Sequence, residues 1–245
     1  MSGETIDSTE VVNLPTRVLL VKDSILGQDI RLVESTGLQG RYCALSHCWG
    51  SPDTRPLSVV ITRGLGVDYL WIDALCIVQD DRDEWLRKAE VMGSVYEKAT
   101  LMISASEPSK GPLGNRAWAL QERYLSRRKV FFMPGGMSWA CKTVTLNERF
   151  VEEEPGVDYN SWLMLLQEYS STQLTIPSDR LPAIQGIAAV LQKPQGGRYF
   201  YGVWEADLLE QLLWIFQFDT RYDTKGRRTS PNTVVELGEN QVSRP

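Results

Sequence analysis

Tyr42–Gly50 reads YCALSHCWG and Tyr69–Trp85 reads YLWIDALCIVQDDRDEW. Each begins as a short apolar run with β-branched or aromatic members, the pattern of a strand buried on both faces. Each then ends in Trp, Asp, Cys and Gln rather than in turn residues alone. Large or reactive groups at the ends of buried strands suggest a site at a sheet edge. Between and after these strings the alternation continues. Asp81 is a good N-cap, and Glu84 three residues on completes a capping-box-like start. Trp85, Ala89, Met92 and Tyr96 then recur at helical spacing and predict a core-facing helix through Ala99. Leu101–Ala105 reads as a strand, Arg116–Leu125 as a helix and Lys129–Met133 as a strand. Strands alternating with helices predict an α/β domain built on a doubly wound parallel sheet.

Outward from this centre the signals are weaker. Arg17–Val21 and Asp29–Glu34 read as a hairpin turned at Gly27. Leu57–Thr62 is a short apolar stretch punctuated by Gly64 and Gly66. Ser138–Thr145 reads as a further strand, and the acidic run Glu152–Pro155 as a linker. Trp162–Tyr169, Ser178–Gln192 and Ala206–Phe218 read as helices, with Pro182 in the first turn of the second. The expected organisation is a flexible arm over 1–16, an α/β domain over 17–133, a mainly helical extension over 134–218 and a disordered tail over 219–245.

Composition narrows the function. The chain has 245 residues and a formal charge of -5. It has no basic stripe, RNP-like string or zinc-finger spacing, so nucleic acid is not an expected partner. The polar N-terminus lacks the basic and apolar regions of a signal peptide. No run approaches the length of a membrane span, and the expected location is the cytoplasm or nucleus. Cys43, Cys48, Cys76 and Cys141 form no C-x-x-C pair and are expected to be reduced thiols. His47 is the single histidine, which excludes His-based metal sites, and no metal is expected. No Gly-rich phosphate loop is present, and GLG at Gly64–Gly66 is only a turn signal.

The ordered strings YCALSHCWG, LWIDALCIVQDD, LMISAS and RAWALQERYLSRR together resemble the fungal heterokaryon incompatibility (HET) domain. LTIPSDRLPAIQGIA at Leu174–Ala188 is similar to the segment that commonly follows it, and YGVW at Tyr201–Trp204 also fits. The resemblance runs over roughly 40–215. It implies a distantly TIR-like, flavodoxin-like sheet and a role in non-self recognition, where incompatible partners trigger programmed cell death. It implies protein partners or self-association, with no cofactor, and NAD as a substrate if the domain is catalytic.

Three departures stand out. Between Leu57 and Val59 the family carries a further stretch with its own helix, and between Ser106 and Arg116 a longer insertion. The chain also stops before the family's later region. A missing helix would leave one sheet face bare, which opens a reading as a truncated, inactive or pathway-accessory member.

Ligands in open α/β sheets sit beyond the carboxyl ends of the strands. The candidate ligand-binding residues are therefore Ser46, Trp49, Asp73, Asp80 and Trp118. By the TIR analogy Glu122 is the candidate catalytic carboxylate, able to stabilise a ribosyl cation as the nicotinamide bond breaks. The alternative places Glu122 in surface ion pairs with Arg116, Arg123 and Arg127. Asp73 either caps its loop or binds ligand hydroxyls. Asp80 and Asp81 suit helix capping better than magnesium. Trp49 has a flat face for a ligand, and Trp71, Trp85 and Trp118 read as packing. His47 reads as packed or exposed rather than nucleophilic, and Cys76 as core.

Overall fold

A computed structural model describes residues 10–22, 30–47, 55–104, 113–133, 136–141, 144–148, 154–155, 162–195, 197–205 and 208. Trp49, the helix expected over Ala206–Phe218 apart from Leu208, and the tail from 219 lie outside the described residues. The chain begins with strands β1 (Val12–Asn13), β2 (Arg17–Leu20), β3 (Arg31–Glu34), β4 (Gln39–Gly40) and β5 (Tyr42–Ser46). Helix α1 (Arg55–Gly64), β6 (Tyr69–Ile72), the short α2 (Asp73–Cys76), α3 (Arg82–Lys98) and β7 (Leu101–Ser104) follow. Then come α4 (Ala117–Leu125), β8 (Arg128–Met133), β9 (Gly136–Cys141), β10 (Val144–Asn147) and β11 (Glu154–Pro155). The extension holds α5 (Trp162–Ser170), a 3-10 turn (Pro177–Asp179), α6 (Arg180–Gln195) and the hairpin β12 (Tyr199–Phe200) and β13 (Val203–Trp204).

The main sheet runs β11-β10-β9-β8-β7-β5-β6-β2-β3. Its centre, β8-β7-β5-β6, is parallel, and the strands outside it pair antiparallel. The fold is therefore mixed α/β with a parallel core, not an all-parallel sheet. Part of the antiparallel pairing has a local cause: β2–β3 and β8–β9 are sequence neighbours joined by short connections, which cannot make the long crossover a parallel pair needs, whereas β2 meets β6 as a long-range antiparallel pair. β9, β10 and β11 continue the same sheet beyond Met133.

All residues of β5 and β7 are buried, as befits strands covered on both faces. In chain order the parallel strands lie 2-1-3-4, so the crossovers leave β5 in opposite directions. Right-handed crossovers then place α1 on one face and α3 and α4 on the other. α1 contacts β5 and β6, whereas α3, α4 and α6 contact one another.

The sheet face expected to be bare is covered. α1 presents Ser58, Val59 and Thr62 inward, and the Thr62 hydroxyl meets the Cys43 thiol of β5. The β-branched run VVIT disfavours a helix by local propensity, but burial of one face offsets that small deficit. The two glycines stop it. Gly66 adopts φ 64, with Val67 N–H donating to Thr62 O at 3.1 Å and Gly66 N–H to Arg63 O at 2.9 Å. That is a Schellman ending, for which glycine at the left-handed position is the usual residue.

α3 starts as its capping residues predict: Asp81 Oδ1 accepts from the Glu84 N–H at 2.9 Å. Replacing Asp81 with Ala is expected to lower stability by about 1 kcal/mol in urea unfolding. No loss would mean that another acceptor serves this helix end. At the same place the Arg17 guanidinium pairs with Glu84 and donates to Cys76 O at 2.9 Å, tying β2 to α2 and α3.

A second core joins the extension to α4. Ala117, Leu120 and Leu125 of α4 pack with Trp162, Leu165, Tyr169, Ile184, Ile187 and Trp204. Among the described residues no helix is long and apolar enough to cross a membrane.

Candidate functional site

Register brings the carboxyl ends of the parallel strands level. Ser46 of β5 pairs with Ser104 of β7, and Leu45 with Ile72 of β6, so Asp73 follows immediately beyond the edge. β5 connects toward β6 on one side while β7 lies on its other side. This change of direction is where open α/β sheets leave a crevice.

Glu122 of α4 points its carboxyl to this edge. It is 7% exposed, with the hydroxyls of Ser46 and Tyr96 in hydrogen-bonding contact. Oε2 has no hydrogen-bond partner among the described residues. Burial, followed by the charge of Asp73, raises the Glu122 pKa to about 7, against the lowering effects of Ser46, Arg116 and Tyr96. Desolvation dominates because a carboxylate loses its water here and gains few donors in return.

The surroundings come from several elements. Tyr96 of α3 is fully buried, its ring edge-on to Trp71 at 5.6 Å and its hydroxyl donating to Leu45 O at 3.2 Å. Burial pushes its own pKa well up. Asp73 Oδ1 accepts from the Ala74 N–H at 2.7 Å. Burial raises the Asp73 pKa too, opposed by the Ala74 N–H and by the positive charges of Arg116 and His47. Arg116 donates to His47 O at 3.2 Å, which holds a cation beside the end of β5 within electrostatic reach of both carboxyls.

The expected residues therefore divide. Ser46, Asp73 and Glu122 share one cluster. Asp80 is exposed and takes no part in the interactions of Glu122 or Asp73. Trp118 faces another way, edge-on to Trp85 at 5.6 Å, with its indole bonded to the Asp179 carboxyl. Surface ion pairing does not account for Glu122. Arg123 pairs with Glu168 and Arg127 with Glu10 at 3.1 Å, while the half-buried Arg116 acts on Glu122 electrostatically. Successive helix positions point in different directions, so i+1 and i+5 neighbours serve other partners.

Tyr96 is the member that sequence reading did not assign to the site; Arg116 is expected there only as an ion-pair partner of Glu122. Tyr96 is correctly expected on the core face of α3, but nothing in helical spacing reveals where its hydroxyl points. Among the described residues no group of three or more His, Cys, Asp and Glu is placed to hold a metal ion. The cluster instead offers a carboxyl near its ionisation midpoint at neutral pH. Such a group can donate a proton or, once ionised, stabilise a developing positive charge.

One comparison with known proteins bears on this arrangement. Residues 54–117 match the family Heterokaryon incompatibility protein (HET). The HET match runs from α1 to the first residue of α4, so it contains Asp73, Tyr96 and Arg116 while Ser46 and Glu122 flank it. No curated protein and no solved structure matches the chain.

Proposed function

We propose that this chain is a HET-domain protein of fungal vegetative incompatibility, acting in the cytoplasm as a signalling or effector module of cell death through self-association or a protein partner. The HET match over residues 54–117 carries this reading. A TIR-like, flavodoxin-like kinship of the sheet is part of the proposal, supported by the 2-1-3-4 order of the four parallel strands. Conditional expression in a fungal host tests it: growth arrest or death is the expected result. Normal growth with the folded protein present would leave the inactive or accessory reading instead. α1 covers the face that a missing helix would leave bare, while the short stretch between Ser106 and Arg116 still supports that alternative.

One observation favours an enzymatic effector: the buried Glu122 carboxyl, with Asp73, Arg116, Ser46 and Tyr96 about it. The substrate would be NAD or a related ribosyl cation precursor. The C–N glycosidic bond breaks with its electron pair leaving on nicotinamide, the ribosyl cation is stabilised by the Glu122 carboxylate, and water adds to it with release of a proton. Purified protein is expected to release nicotinamide from NAD, and Glu122→Gln to lower the rate by about a hundredfold or more, the scale of a lost charge-stabilising group. Equal turnover in both would remove Glu122 from the mechanism. Silence in both folded proteins would leave the binding module alone.

A further inference from the structure

α4 carries Glu122 but does not cap itself. Arg116 stands at its N-cap and makes no side-chain capping bond. The first N–H groups of a helix need acceptors from elsewhere, and here the extension supplies one. Gln173 lies beside Arg116 in a parallel bridge. Ala117 N–H donates to Gln173 O at 3.1 Å, and Gln173 N–H returns a bond to Asn115 O. One residue further along α4, the Trp118 indole meets the Asp179 carboxyl at the end of the 3-10 turn. Asp179 is covered by its neighbours though close to the periphery, and Arg82 at the start of α3 faces it with opposite charge. The extension therefore grips the first turn of α4 at two consecutive residues by two independent contacts. That turn also aims Arg116 at His47 O.

We propose that the segment Gln173–Asp179 is a positioning element of the Glu122 site, with Asp179 as its key side chain, holding the first turn of α4 so that Glu122 and Arg116 meet Asp73 at the sheet edge. The inference rests on the reading of Glu122 as the functional carboxyl, and it makes the extension part of the site rather than an appendage to it. Asp179 acts through Trp118 and α4 and touches no reacting group. Its loss is expected to loosen the first turn and admit water beside Glu122. Because burial is the largest cause of the raised Glu122 pKa, water moves it back toward the ordinary carboxylate range.

The test is a carbon-13 NMR titration of glutamate side-chain carboxyls in the full chain, with the Glu122 signal assigned by its loss in Glu122→Gln. The parent is expected to titrate at about 7. Asp179→Ala is expected to raise the proton dissociation constant of Glu122 at least about tenfold, the scale of a partly relieved burial. Asp179→Asn keeps an acceptor for the indole and is expected to titrate as the parent does. Trp118→Phe keeps the ring and removes the N–H donor, so it should reproduce Asp179→Ala and serves if that variant does not fold. A parent-like titration in a folded Asp179→Ala or Trp118→Phe protein overturns the proposal. The readout needs no turnover, so an absence of nicotinamide release would count against the enzymatic reading while leaving this one standing or falling on the titration.

Discussion

Glu122→Gln is expected to be more stable than the parent protein above pH 7 and equal to it below pH 4.5. The sign follows from linkage. Folding raises the Glu122 pKa from 4.5 to about 7, so between those values the folded state holds a proton that the unfolded state has released. Stability then falls as pH rises through this window, because the unfolded state binds fewer protons. The stabilising proton is present at low pH and gone once pH exceeds the folded pKa. At about 1.4 kcal/mol for each tenfold change in proton affinity, the full cost is about 3 kcal/mol. That is a large share of the roughly 5–15 kcal/mol that stabilises a typical domain. Glutamine keeps the shape and the hydrogen-bonding capacity toward Ser46 and Tyr96 without the charge, so the variant escapes the cost. Urea unfolding of both proteins across the window measures the difference directly, and titrating groups not coupled to Glu122 cancel in the comparison. A variant-minus-parent difference that stays flat with pH would show that Glu122 is hydrated in the folded protein. Asp73 belongs to the same titration, since each carboxyl raises the cost of ionising the other. A protein that retains a buried carboxylate at such expense has a use for it more readily than a structural need, which is why the same residue anchors the enzymatic reading.

The legible parts of the chain were those where local and tertiary demands agree. β5 and β7 are apolar runs buried throughout and β6 is buried from Leu70 on, and Asp81 caps α3 in the geometry that its spacing to Glu84 implies. α1 was missed because its β-branched run speaks for a strand, while the evidence for a helix is the buried Ser58, Val59 and Thr62 face, visible only once β5 lies beneath it. The antiparallel flanks were hidden for a related reason: alternation with helices signals a parallel core but says nothing about strands added by hairpins. At the candidate site, the strand-end rule pointed to Ser46 and Asp73, which lie about Glu122, and equally to Asp80 and Trp118, which stand apart from it. Glu122 came from resemblance; of the arginines at ion-pairing spacing Arg116 does act on it, whereas Arg123 and Arg127 serve other carboxylates. Those carboxylates, Glu168 and Glu10, are far off in sequence. Tyr96 joins through the direction of a hydroxyl, and Arg116 through a carbonyl 69 positions away. Neither relation has a local signature.

Trp204→Ala is expected to cost about 4 kcal/mol, the scale of deleting a large buried aromatic. Trp204 is 0% exposed, tilted against Tyr199 at 5.0 Å and edge-on to Trp162 at 5.9 Å. The cavity would open in the core that the extension shares with α4, where Ala117, Leu120 and Leu125 form the other wall. Because α4 also lies on α3, and α3 fills the sheet core with Met92, Val95 and Tyr96, the damage should not stop at the extension. We expect one unfolding transition in urea, with amides of β5 and α6 losing hydrogen-exchange protection by the same free energy. Loss confined to α5 and α6, with β5 as protected as in the parent, would make the extension a separate unit and would weaken the case that it positions Glu122. A common loss would mean that Asp179, Gln173 and the Trp204 core form one cooperative structure with the sheet. In that case the portion matched by the HET family alone, residues 54–117, lacks both the Glu122 carboxyl and the contacts that hold its helix in place, so a fragment cut to the match should neither fold stably nor reproduce the site.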